Sequence, residues 1–349
     1  MIAEDESWQA LLAMDHQVGI ELKMSRLLFP QDGSGPHIHG IKHVIEEVVP
    51  EDWRVMVGLP KLLGMTDEAL EVWISVLQDY DLDLAVCHGG DTVGFDWMLD
   101  DPERRYTSPI DSTQYRQVME RAVAIGRQIT DAGIPLGIEN TAMTQFYQVK
   151  GKWLPITFCC PRIGMFPGDT NFFCQQTEAV PVIDTEHGSF DINWLLCLAD
   201  YWTRGVWKSV ATATNFFTDD DRFCLANFGF ALHQGEVPFI DHSFFGMIDA
   251  GISESSTGLM QFLSKFENLG HFQLGSSPQE VTGGNITSHS LISEYDNRFR
   301  GIVRQVLKLE PKSLMVEAGL DPFGRFDPEI LDVSIHAFGK ILLEEIERP

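Results

Sequence analysis

Three carboxylates and one imidazole stand in or beside short apolar runs: Glu139 in IPLGIENT, Asp184 in AVPVIDTEHG, His271 in LGHFQLGSS and Glu317 in SLMVEAG. Apolar runs of this length predict strands buried on both faces of a parallel sheet. Glu139, Asp184 and Glu317 fall near the C-terminal ends of theirs, and His271 falls earlier. In a barrel of parallel strands the C-terminal end carries the chemistry. A Glu, Asp, His and Glu set converging there suits a divalent cation with mostly oxygen ligands. Mn²⁺ leads, with Mg²⁺, Co²⁺, Zn²⁺ or Fe²⁺ as alternatives, and such an ion polarises a carbonyl.

The elements that must position these groups alternate along the chain. Strand-like runs are VGIELKM (18–24), WRVMVGLP (53–60), LDLAVCHGG (82–90), IPLGIENT, AVPVIDTEHG, FGFALHQG (228–235), HFQLGSS and SLMVEAG. Helix signals lie between most of them. Thr66 precedes two acids, as an N-cap should. From Ser112 onward Tyr115, Val118, Met119, Ala122, Ile125 and Ile129 share one face, and Gly133 ends the helix. Asp327-Pro328 opens a last helix running to about Ile346. Eight strands alternating with helices over 349 residues predict a single α/β domain, a (β/α)8 TIM barrel spanning 1–349. A doubly wound open sheet is the alternative, but its Gly-rich phosphate turn is missing.

The spacing fits such units. Glu139 to Asp184 is 45 residues and His271 to Glu317 is 46, whereas Asp184 to His271 is 87. That last gap contains a rival ligand, His233 in FALHQGE. Two stretches exceed a minimal unit, 142–178 and 205–257. They follow the strands bearing Glu139 and Asp184 and are expected to be loop insertions or lids. His88, at a strand exit in CHGGD, and Trp97, in the next loop, are candidate substrate contacts.

Composition narrows the partners. With 51 acidic against 25 basic residues the net charge is −26, which argues against a nucleic-acid partner. No apolar run is long enough to span a membrane. The acidic start MIAEDESWQ is unlike a basic signal-peptide region, so a cytoplasmic protein is expected. The six cysteines form no CxxC pair. A homo-oligomer or a partner subunit remains open.

The motifs GIENT, VIDTEHG, HFQLGSS and LMVEAG, in this order, resemble those of the xylose isomerase-like TIM barrel superfamily. That group includes sugar isomerases and epimerases and enzymes of the endonuclease IV type. The resemblance covers roughly residues 80–320. It implies a metal held by Glu139, Asp184, His271 and Glu317, and it maps the family's Asp-x-x-His element onto Asp184 and His187. Glu139 and Glu317 would lie on opposite sides of the substrate carbon, one removing a proton and the other returning one. His187 would hydrogen-bond a substrate oxygen. The expected activity is a metal-dependent isomerase or epimerase acting on a sugar or polyol. A lyase or hydrolase, including cleavage of C-glycosides, and a multi-iron oxidase using His88, His187 and the carboxylates are the alternatives.

Overall fold

The computed structural model describes residues 5–14, 17, 19–23, 38–49, 51, 53–91, 112–141, 146–149, 152–155, 162–164, 167–188, 263, 266–275, 291–318 and 327–348. Its strands are β1 (Gly19–Lys23), β2 (Arg54–Gly58), β3 (Leu84–His88), β4 (Gly90–Asp91), β5 (Leu136–Glu139), β6 (Phe146–Val149), β7 (Lys152–Pro155), β8 (Arg162–Ile163), β9 (Val180–Asp184), β10 (His271–Leu274) and β11 (Ser313–Val316). Seven of them make one sheet in the order β1-β2-β3-β5-β9-β10-β11, with every neighbouring pair parallel.

This order follows the chain without reversal, so the sheet has no switch point of the doubly wound kind. It is also curled. Laid flat, β1 and β10 would be five strand spacings apart, roughly 24 Å. Instead the amide Nε2 of Gln273 on β10 donates to Glu21 Oε2 on β1 at 3.0 Å. The sheet is therefore barrel-like, though its described strands number seven rather than the expected eight. The eighth candidate, 228–235, lies outside the described residues, as do His233, Trp97 and the whole of 205–257. In the described sheet β9 pairs directly with β10.

The central strands β3, β5 and β9 are buried on both faces, as their near-continuous apolar runs require. On β3, Leu84 and Val86 point inward with Val182, Met56, Val180 and Met315. Ala85 and Cys87 point outward and pack with Leu136 and Ile138 against the helices. Helix Asp67–Leu77 contributes Leu70, Trp73, Val76 and Leu77 and is capped by Thr66, whose hydroxyl accepts from Ala69 N. Helix Ser112–Asp131 buries Met119, Ala122, Ile125 and Ile129, the face read from sequence, and Val123 besides. Each such side chain taken out of water contributes about 1.5–3 kcal/mol, against the entropy of ordering it. Helix Asn297–Leu307 buries Phe299, Ile302, Val303 and Val306. The last helix, Pro328–Ile346, starts at its Asp327 cap as expected. Against it packs a first helix, Glu6–Ala13, which the sequence reading had not identified; Trp8 Nε1 donates to Ile335 O at 3.2 Å.

The described residues of the stretch 142–178 form regular elements. They include the antiparallel hairpin β6–β7, the bridge strand β8 and the helix Pro167–Thr177, which is the regular crossover from β5 to β9. Strand β8 pairs with β4, just beyond the exit of β3, so part of this stretch is tied to the C-terminal edge of the sheet. No described helix is long and apolar enough to cross a membrane.

Candidate active site

Glu139 is the last residue of β5 and Asp184 the last of β9, so both carboxylates leave the C-terminal end of the sheet. They are 3% and 0% exposed, deep enough that their charges interact strongly. After Asp184 the chain turns at once into the short helical segment 185–188. Asp184 caps that turn: Oδ1 accepts from Glu186 N at 2.7 Å and from His187 N at 3.4 Å. The capping bond swings the His187 ring back over the strand end. Its Nδ1 lies 3.2 Å from Asp184 Oδ2 and 3.6 Å from Glu139 Oε1. Glu139, Asp184 and His187 each present a ligand atom, and these lie within 4.8 Å of one another.

His88, at the end of β3, joins the group from the other side. Its Nε2 is 3.5 Å from Glu139 Oε2, and its Nδ1 is 3.5 Å from Thr141 Oγ1. The Glu139 carboxylate is thus flanked by two imidazoles whose ring centres are 6.1 Å apart. Below it, the Cys87 thiol is buried and held well above its usual pKa, chiefly by burial and then by the Glu139 charge, so it is inert.

Asn140 holds this arrangement together. Its Nδ2 donates to Asp184 O at 3.1 Å, its Oδ1 accepts from Asp184 N at 2.5 Å, and its own carbonyl lies 2.7 Å from His187 Nδ1. A carbonyl only accepts, so Nδ1 carries a proton and donates it to Asn140 O. Glu186, also buried, has its carboxylate lying over Gly275; a Cβ there would stand 2.5 Å from Glu186 Oε2.

The other expected ligands are placed differently. Glu317 directly follows β11, its N–H donating to Leu274 O at 3.1 Å, which puts it at the same end of the sheet but outside the close group. His271 is not brought to the group. It is the first residue of β10, paired in register with Val182, while Asp184 is paired with Gln273. Its Nδ1 bonds Ser313 Oγ at 2.8 Å. Its pKa is lowered by burial and then by Lys312, and raised by Asp83, residues that precede β11 and β3 and so mark the N-terminal end of the sheet. The physical reason is the period of two along a strand: two residues separate His271 from Gln273, the register partner of Asp184. Asn140, Glu186 and Gln273 were missed in the sequence. For Gln273 a signal existed, since it shares the face of His271 one step nearer the strand's C-terminal end.

No family model and no curated protein matches the sequence. A solved structure described as a "D-tagatose 3-epimerase-like protein" overlaps 99% of this chain and 97% of that one, at 10% sequence identity and a TM-score of 0.44. An overlap this loose speaks to neither activity nor substrate.

Proposed function

We propose that the chain is a divalent-metal-dependent enzyme that moves a proton beside the carbonyl of a sugar or polyol-derived substrate, as an isomerase or epimerase does. The observation that carries this reading is the buried group of Glu139, Asp184 and His187 at the C-terminal end of a parallel sheet. The donor set fits a cation. Two carboxylates this close repel each other, and a divalent ion between them converts the repulsion into shared coordination. A bound ion would supply polarisation of the substrate carbonyl.

The chain's own residues supply the rest. Glu139 on β5 and Glu317 after β11 are three strand positions apart, roughly 14 Å along a flat sheet and less across a curled one. A small substrate fits between them, with one carboxylate taking a proton from carbon and the other returning it to the opposite face. His187, its Nδ1 proton committed to Asn140, offers Nε2 to a substrate hydroxyl. Segment 162–164, tied to β4, walls the site on one side. The sugar class rests on the resemblance of the four motifs.

Metal titration and isotope exchange test this together. Chelator-treated protein should bind Mn²⁺, and Glu139→Gln and Asp184→Asn should weaken that binding by on the order of a hundredfold or more, the upper end of what losing even an outer-shell partner of a metal costs. The Mn²⁺ form should catalyse exchange of solvent deuterium into ketoses, and Glu317→Gln should abolish the exchange. Bound iron with oxygen uptake and no exchange would favour an oxidase instead. Absence of metal binding, unchanged in the variants, would end the reading.

A further inference from the structure

We propose that Gln273 is a ligand of the same cation through its side-chain Oε1, giving an oxygen-dominated site that selects Mn²⁺ or Mg²⁺ over Zn²⁺; the inference rests on the metal reading above. Gln273 is the register partner of Asp184 on the adjacent parallel strand, so the two side chains leave the same face at the same level. Both are fully buried. The contact with Glu21 across the curled sheet fixes which way the amide faces. A carboxylate accepts only, so Nε2 must be the atom at Glu21 Oε2, and Oε1 points the other way.

Among the described residues no donor reaches that Oε1. A buried amide oxygen left so costs about 1–3 kcal/mol, and native proteins keep few of them. On the adjacent strand Asp184 Oδ2 also accepts no hydrogen bond among the described residues, and its contact there is the ion pair with His187 Nδ1 at 3.2 Å. A buried amide oxygen without a donor, in register with a carboxylate on the adjacent strand, suits an electron-pair acceptor. A hard cation serves both, together with Glu139. Carbonyl and carboxylate oxygens favour Mg²⁺ and Mn²⁺, whereas an imidazole at this level would favour Zn²⁺. The imidazole of this strand, His271, sits one level lower.

The test is calorimetric titration of wild type, Gln273→Leu, Gln273→His and Gln273→Glu with Mn²⁺ and with Zn²⁺, each variant checked for folding by circular dichroism. Gln273→Leu should lose Mn²⁺ affinity by on the order of tenfold or more. Gln273→His should move the Mn²⁺/Zn²⁺ preference toward zinc by a similar factor, and Gln273→Glu should retain Mn²⁺. Unchanged Mn²⁺ affinity in Gln273→Leu, with an unchanged preference in Gln273→His, would overturn the inference while Asp184→Asn still abolishes binding. A bridging water would then be what Oε1 meets. A wild type that binds neither ion would overturn this inference and the metal reading together. If Gln273→Leu does not fold, the His and Glu variants decide on the same criteria.

Discussion

The side chain of Asn140 grips the main chain of Asp184 at both ends, donating to its carbonyl at 3.1 Å and accepting from its N–H at 2.5 Å. In effect the amide extends the β5–β9 ladder by one more rung, just where the backbone of β9 leaves it. The same residue's carbonyl receives the His187 Nδ1 proton. One buried side chain and one carbonyl therefore fix the carboxylate and the imidazole of the site.

Removing the Asn140 amide should be costly on two counts. Asn140→Ala strands a buried N–H and a buried carbonyl, at about 1–3 kcal/mol each, so urea unfolding should show a loss of about 2–6 kcal/mol. Mn²⁺ affinity should fall as well, because Asp184 is no longer held. A variant as stable as wild type would show that the Asp184 main chain finds other partners.

Gly164 backs the other carboxylate. It sits at φ +95° in the turn after β8, and a Cβ there would stand 2.9 Å from the carbonyl oxygen of Glu139. Its own carbonyl accepts from Thr141 N at 2.8 Å. Gly164→Ala therefore combines an unfavourable backbone region with a clash. We expect a loss of about 1–3 kcal/mol and weaker Mn²⁺ binding through displaced Glu139. Unchanged thermal unfolding would mean that segment 162–164 does not press on the site.

His271 provides the contrasting control. With its ring bonded to Ser313, two residues before the register partner of Asp184, His271→Gln should leave Mn²⁺ affinity within about twofold and lower stability by about 1 kcal/mol, one hydrogen bond's worth. Collapse of metal binding in this variant, with folding intact, would restore His271 as a ligand.

These residues show how far the sequence reaches. Glu139 and Asp184 were legible because a lone carboxylate closing an apolar run marks a strand end, and strand ends in parallel sheets share one mouth. His187 was legible from its spacing after Asp184. Register was not legible: whether His271 or Gln273 stands level with Asp184 depends on how β10 slides along β9, which the period of two leaves open by whole steps. Asn140 hid for a different reason. Its role is a long-range bond to the backbone 44 positions away, and no local pattern announces such a bond. The strand expected at FGFALHQG lies outside the described residues.

Away from the site, Glu345 makes a pH prediction. Its buried carboxylate receives two bonds from Arg304, Nε to Oε2 at 2.7 Å and Nη2 to Oε1 at 3.0 Å, with Arg348 and Arg300 close by. The Arg304 hydrogen bonds, with the charges of all three guanidinium groups, hold its pKa below the usual carboxylate value despite burial. A carboxylate whose folded pKa is depressed adds stability above its unfolded pKa of about 4.3, and that stability is lost as pH falls through the folded value. Arg304 and Arg348 are 40% and 53% exposed, so solvent screening limits the contribution to about 1–2 kcal/mol. Urea unfolding should thus find Glu345→Gln less stable than wild type by that amount at pH 7, with the gap closing below about pH 4. A gap that stays constant from neutral to acid pH would show that Glu345 keeps the same proton count folded and unfolded.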